Sequence, residues 1–381
     1  MLKIILLIGK YTIRQYVAAD GYLETTRNIT HTSSRGYILK RYGKYTWRFL
    51  LGISISALFV WLAVRNVEFG EIARDLIYSD LRMILPFLVV LNLSYWAKGL
   101  RWSILLAPIH RAPAWALFPG VMIGFASNVL LPLQLGEFVR AWAVARQLNM
   151  EQATVIATIF LERIFDLLVM FFILECALLF FPTISSEVLT MSYILGGVCV
   201  ALLILIAVCV RWTDSFVRLF GKGATVLPSS WQYWIVNEAR KGALGLACLK
   251  EPRLLVGITA TSFLQWGFMG LSIYIGFMAV GIAVPVSAGF IVLVLTSIGM
   301  TLPSGPGYIG TIQLAFVIGL RLYGVEATEA VAASIYFHFI AYAYSLIVGL
   351  YYLGRTGLTL TQAREVAEHV KQDATGAKIN T

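Results

Sequence analysis

Asn128-Val-Leu-Leu-Pro132-Leu-Gln-Leu-Gly136-Glu137-Phe-Val-Arg140 and Thr301-Leu-Pro303-Ser-Gly-Pro306-Gly307-Tyr-Ile-Gly310-Thr-Ile-Gln313 decide how this chain folds. Each stretch sets Leu-Pro, then Gly, between two hydrophobic arms. Proline removes a backbone donor and glycine weakens a helix, so both stretches are expected to break. The surrounding chain is very apolar: of 381 residues, 59% are hydrophobic and 13% charged, and the mean hydropathy is +0.78. A soluble domain has roughly 45–50% apolar and about 25% charged residues, so this is an integral membrane protein. Lipid offers no partner to bare backbone, so a break at membrane depth is buried in protein or lines a wet cavity. Paired breaks in the two halves of a chain point to a transporter binding site.

A span needs roughly 20 apolar residues. Full spans are read at about 49–66, 83–100, 153–182, 191–211, 254–281 and 328–353, and the segments 112–149 and 286–324 carry the breaks. With the N-terminus inside, Lys and Arg number nine in residues 1–48, three in 98–111, seven in 211–253 and four in the C-terminal tail. The opposite side then holds only Arg65, Arg74, Arg82 and Arg321, which the positive-inside rule favours. This balance holds if each broken segment enters and leaves on the same side. The expected fold is therefore all-α and polytopic: about six full spans plus two re-entrant helical hairpins, arranged as an inverted repeat. The first repeat covers 49–182 and the second 191–353, between a basic cytoplasmic tail (1–48) and a polar cytoplasmic tail (354–381). Trp47, Trp96, Trp102, Trp115 and Trp212 fall near proposed span ends, as interfacial belts do. Gly196-Gly197 and Gly270 are read as sites of close helix contact.

Ionisable residues inside spans are costly and suggest function by default. Glu137 and Arg140 lie at i,i+3 just after the first break. In Phe160-Leu-Glu162-Arg163-Ile-Phe-Asp166 the two carboxylates share a helix face, and Arg163 can reach Asp166. Pairing Arg140 with Glu162 or Asp166, and Glu137 with Arg163, neutralises the set inside protein. Such pairs either lock the bundle or line a polar cavity for a lipid headgroup. In the second case Arg140 or Arg163 contacts phosphate, and amides freed after Pro132 or Pro306 add an anion site at a half-helix start. Glu175 stands alone in an apolar run and must face protein or water. His338 shares a face with Tyr342, in a packing role or a proton-coupling one.

Cys176, Cys199, Cys209 and Cys248 show no CxxC or metal spacing. The net charge of +10 comes without a nucleic-acid motif, and basic cytoplasmic loops account for it. There is no GxxxxGK[ST], HExxH or GxSxG motif, so no nucleotide, metal or other cofactor is expected.

At these residues the chain resembles the lysylphosphatidylglycerol synthase transmembrane-region family, flippase-like integral membrane proteins. The resemblance rests on Asn128, Leu130-Leu131-Pro132, Gly136-Glu137, Arg140-Ala141, Glu162-Arg163 with Asp166, and Pro306-Gly307 with Gly310. Gln134 and Gln313 stand where many members carry a basic and an acidic residue. The resemblance implies transport of a lipid between leaflets, without the soluble synthase domain of the two-domain members. The expected substrate is an anionic or amphiphilic lipid, phospho- or polyprenyl-linked. Asn128, Pro132, Gly136, Glu137, Arg140, Glu162, Arg163, Asp166, Pro303, Pro306, Gly307, Gly310, Gln313 and His338 would line or brace its path. The alternatives are a membrane glycosyltransferase acting on lipid-linked sugar and an accessory subunit in envelope biogenesis. The expected location is the inner (plasma) membrane, with a homo-oligomer or an envelope partner possible.

Overall fold

Every regular element among the described residues is helical. The computed structural model describes residues 56–65, 67–131, 135–178, 247–301 and 306–356, with helical positions also at 54, 190, 193–194, 196–201 and 204. The expectations placed on Pro132, Gln134, Pro303, Ser304, Trp47, Trp212, Cys209 and most of both tails lie outside them.

The elements are α1 (Phe69–Ile77), α2 (Ile84–Leu106), α3 (Ala114–Leu130), α4 (Gly136–Gln147) and α5 (Gln152–Leu178) in the first half. The second half holds α6 (Pro252–Ala279), α7 (Val286–Thr301), α8 (Thr311–Arg321) and α9 (Ala327–Arg355). Among the described residues, three helices are long and apolar enough to cross a membrane: Leu81–Leu106, Pro252–Ala279 and Ala327–Arg355. α5 is comparably long at 27 residues, but Glu162, Arg163 and Asp166 sit in its middle.

Both broken segments are helical hairpins. In the first, a Cβ on Gly120 would strike Val144, one on Gly124 would lie 3.0 Å from Arg140 Cβ, and one on Gly136 would meet Gly124 O and Asn128. Residues climbing by four on α3 thus face residues descending by four on α4, so the arms are antiparallel. Gly120, Gly124 and Gly136 let the backbones touch, as small residues do between membrane helices. In the second, Gly299 faces Thr311 while Gly319 faces Val292 and Leu295, again antiparallel. The arms of 17, 12, 16 and 11 residues are short. At 1.5 Å per residue they reach about 17–26 Å, less than the roughly 30 Å hydrocarbon core.

α2 and α6 form a central antiparallel pair: Asp80 N donates to Ala279 O at 2.8 Å, and Ser94 Oγ donates to Gln265 O at 2.9 Å. Parallel to α2 runs α9, through Asn92 with Tyr344 and Tyr95 with Ser345 (2.9 Å). α5 is antiparallel to α2, with Trp102 opposite Thr158 and Lys98 opposite Glu162. Neighbours follow one pattern in each half. α2 packs on α3, α3 on α4 and α4 on α5; α6 packs on α7, α7 on α8 and α8 on α9. Across the halves, α3 meets α9 and α7 meets α5. Phe87, Leu91, Met122, Phe277, Phe316 and Phe337 are among the side chains that fill the apolar core between them.

Three expectations are corrected. The span at 83–100 does not end at Lys98: α2 continues to Leu106, so Lys98 and Arg101 are interior residues rather than loop charges. Trp102 is fully buried, not interfacial, because its ring lies under the Arg140 guanidinium at 4.4 Å and its Nε1 donates to Thr158. Gly270 does admit a neighbour, the Phe290 ring, and Gly196 faces Phe171, but a Cβ on Gly197 would meet open space. Trp96 and Trp115 are exposed, but with α2 running to Leu106, Trp96 lies near the middle of its helix rather than at a span end.

Candidate functional site

Seven charged side chains from three helices meet in the first half. α2 supplies Lys98 and Arg101, α4 supplies Glu137 and Arg140, and α5 supplies Glu162, Arg163 and Asp166. Glu162 is the hub. It pairs with Lys98, with Arg101 at 2.9 Å, and with Arg140 at 2.9 Å. The Arg140 contact is a fork, Nη1 to Oε1 at 3.4 Å and Nη2 to Oε2 at 2.9 Å. Asp166 accepts from Arg101 at 2.6 Å and from the indole of Trp266 on α6 at 2.7 Å. Arg101 also donates to Ser262 at 3.0 Å. Glu137 pairs with Arg163, and with Arg140 at 3.1 Å.

The expected pairs Arg140–Glu162 and Glu137–Arg163 both form. Arg140 makes no ion pair with Asp166: Arg101 and Trp266 share its Oδ1, and Arg163 lies 3.6 Å from its Oδ2, the i,i+3 contact the sequence predicts. Lys98 and Arg101 are the residues sequence reasoning missed. Their place after a polar interruption at Asn92 and Ser94 suggested a loop, but at i,i+3 they share a helix face that a carboxylate-bearing helix can cover. Buried charges persist only when paired, and removing one partner strands the others. Here the four cations differ: the side chains of Lys98, Arg101 and Arg140 are 4%, 0% and 1% exposed, that of Arg163 41%.

The breaks have their own chemistry. Asn128 Oδ1 accepts from Gly136 N at 2.8 Å, so the end of α3 caps the start of α4. Gly310 N donates to Gln313 Oε1 at 2.7 Å. One amide at each break, Gly136 N and Gly310 N, is therefore taken by a side chain. With its oxygen on Gly310, Gln313 turns its amide nitrogen to His338 Nδ1 at 3.2 Å. His338 Nδ1 then accepts and Nε2 carries the proton. The His338 ring also lies 4.1 Å from the Tyr342 ring. Asn128 and Gly136 thus belong to the first break, and Gly307, Gly310, Gln313 and His338 to the second.

The two breaks adjoin. The turn Pro306–Tyr308 packs on α3, with a Cβ on Gly307 falling 3.8 Å from Val129 O. Gly307 (φ 71°), Tyr308 (φ 57°) and Gly310 (φ 91°) are all left-handed. Glycine takes this freely, whereas tyrosine does so at a cost that its surroundings must sustain. Tyr308 lies within electrostatic reach of Arg163 and Glu137. Sequence reasoning missed Tyr308 as well, since nothing local marks it.

The sequence profile of the lysylphosphatidylglycerol synthase TM region matches residues 49–349, and the chain belongs to that family. A UPF0104 membrane protein of Methanocaldococcus jannaschii is 25% identical over 224 residues, 58% of this chain and 90% of that protein. A second UPF0104 membrane protein, from Methanothermobacter thermautotrophicus, is 22% identical over 75% of this chain and 85% of its own length. The glycosyltransferase AglD of Haloferax volcanii is 22% identical over 84% of this chain, which spans 56% of it. No solved structure matches significantly.

Proposed function

We propose that this member of the lysylphosphatidylglycerol synthase TM region family is a lipid flippase-type transporter. It would move an anionic or amphiphilic, phospho- or polyprenyl-linked lipid between leaflets. One observation carries the reading: the seven-charge cluster opens, at Arg163, beside the point where two helix breaks adjoin. A headgroup crossing hydrocarbon needs polar partners at mid-depth, and broken helices supply them where backbone lines a cavity. The chains of the lipid would stay in the bilayer.

An inverted repeat fits the same reading. The neighbour relations α2–α3–α4–α5 recur as α6–α7–α8–α9, and α2 and α6 are antiparallel, as equivalent helices related by an axis in the membrane plane would be. Both termini would be cytoplasmic. Without Lys98 and Arg101 the basic tails and the 211–253 connection still outweigh the opposite side. Cysteines introduced at 77 and 225 test the orientation: an impermeant thiol reagent applied outside should label 77 and spare 225.

For transport, the full chain is reconstituted in liposomes holding fluorescent phospholipid, and dithionite quenching is followed. Wild type should expose inner-leaflet label, and Arg140→Ala or Glu162→Ala should abolish this. Undiminished scrambling in both variants would remove the site assignment. The likeness to the Haloferax volcanii glycosyltransferase favours a second reading, a membrane glycosyltransferase. Sugar transfer to lipid phosphate without any scrambling would select it.

A further inference from the structure

Six of the seven charges close on themselves. Arg101 bridges Glu162 (2.9 Å) and Asp166 (2.6 Å), Arg140 bridges Glu162 (2.9 Å) and Glu137 (3.1 Å), and Arg163 bridges Glu137 and Asp166 (3.6 Å). Each guanidinium thus meets two carboxylates and each carboxylate two guanidiniums, a ring of three positive and three negative charges. Lys98 is the seventh. Its side chain is 4% exposed, and among the described residues its ion-pair partner is Glu162, which the ring already holds between Arg101 and Arg140. Arginine keeps its proton in proteins, whereas a buried lysine can yield its own. A carboxylate that took a proton would strand the two arginines beside it. The Lys98 ammonium is the one charge that can leave while every other stays paired, and an unbalanced charge in a membrane domain is costly.

Nothing else near Lys98 carries charge. Glu137 and Arg140 of α4 and Glu162 and Arg163 of α5 act on it electrostatically, and Arg101 lies one turn along its own helix. α3 has no ionisable side chain and presents the Phe125 ring at 5.8 Å. α6 carries Arg253 in its first turn and Tyr274 beside Gly289, and the nearest ionisable groups of α9 are the phenols of Tyr344, Tyr351 and Tyr352. We infer that Lys98 is a proton site linked to headgroup binding: its neutral amine takes one proton from water when an anionic lipid headgroup reaches Arg163. With 41% of its side chain exposed, Arg163 is the open edge of the ring. The proton adds to the Nζ lone pair, no other bond changes, and the ring keeps its charges. Headgroup charge and proton enter together and cancel, so neither is left uncompensated in a low dielectric. The linkage is reciprocal, so the proton strengthens headgroup binding as much as the headgroup strengthens proton binding. This rests on the transport reading and gives it a coupling ion.

The test uses detergent-purified full chain and acyl-labelled phosphatidylglycerol, whose phosphodiester keeps one negative charge throughout. Fluorescence anisotropy reads binding from about pH 6 to pH 10, the span over which lysines in proteins titrate. Wild type should bind up to about tenfold more weakly for each unit rise through the titration, and an indicator dye in weak buffer should report up to about one proton taken up per lipid. Lys98→Met leaves the ring whole and should bind weakly at every pH. Lys98→Arg fixes the charge and should bind tightly at every pH. A merely structural lysine would leave the slope intact in both. A slope kept in Lys98→Met would assign the proton to another group, such as His338, and overturn the inference. So would a flat wild-type profile without proton uptake, a measurement that needs no variant to fold. Equal affinity and slope with dimethyl phosphate in place of the lipid would overturn the headgroup assignment, since the site would then serve a free anion. Proton-linked binding without scrambling would keep the Lys98 site and remove the transport reading. Scrambling with binding that ignores pH would do the reverse.

Discussion

In the first hairpin, Glu137 and Arg140 tie the second arm to α5, and Glu162 joins it to α2. In the second hairpin the corresponding arm starts at Gly310 and Gln313, and among the described residues neutral groups hold its start: one amide, one imidazole and a run of left-handed backbone. Both hairpins are antiparallel and closed by glycine, so the difference is one of glue rather than shape. A buried ion pair that loses one member leaves a stranded charge. A neutral hydrogen bond that is lost leaves only a desolvated dipole. The two halves share a plan, yet one is locked hard and the other softly.

The widest test of that contrast is Glu162→Gln. It takes a carboxylate from three buried cations and should cost about 3–5 kcal/mol, seen as a lower thermal unfolding midpoint in detergent. Gly136→Ala is next. Its methyl must enter space held by Gly124 O and Asn128, at an expected cost of about 1–3 kcal/mol by the same measurement. Smallest is Gln313→Leu, which removes the Gly310 cap and the His338 contact for about 1 kcal/mol. A midpoint drop for Gln313→Leu equal to that for Glu162→Gln would erase the distinction between the hairpins.

Much of this site could be read along the chain. Asn128, Gly136, Glu137 and Arg140 sit within one break, and Glu162, Arg163 and Asp166 within two helical turns, so local spacing already grouped them. Charge neutrality suggested the pair Glu137–Arg163 and set Arg140 against Glu162 or Asp166, and the structure selects Glu162. Lys98 and Arg101 were misplaced because a cation after a polar interruption looks the same whether the helix ends or a carboxylate waits on another helix. Tyr308 was missed because its partner Arg163 is far along the sequence. That Asn128 and Gln313 each take one amide could not be read along the chain, because they reach it only once the hairpin has closed.

The sequence by itself determined a membrane-embedded helical chain with two broken segments, because hydrophobicity, proline and glycine act locally and need no partner. It also settled the family, through residues clustered at those breaks. Tertiary structure alone decided which charges neutralise which, and that four cations share three carboxylates. It also decided that the uncharged break lies against the charged one. Those outcomes depend on distances between helices remote in sequence, and in a low dielectric a few ångströms separate a paired charge from a stranded one.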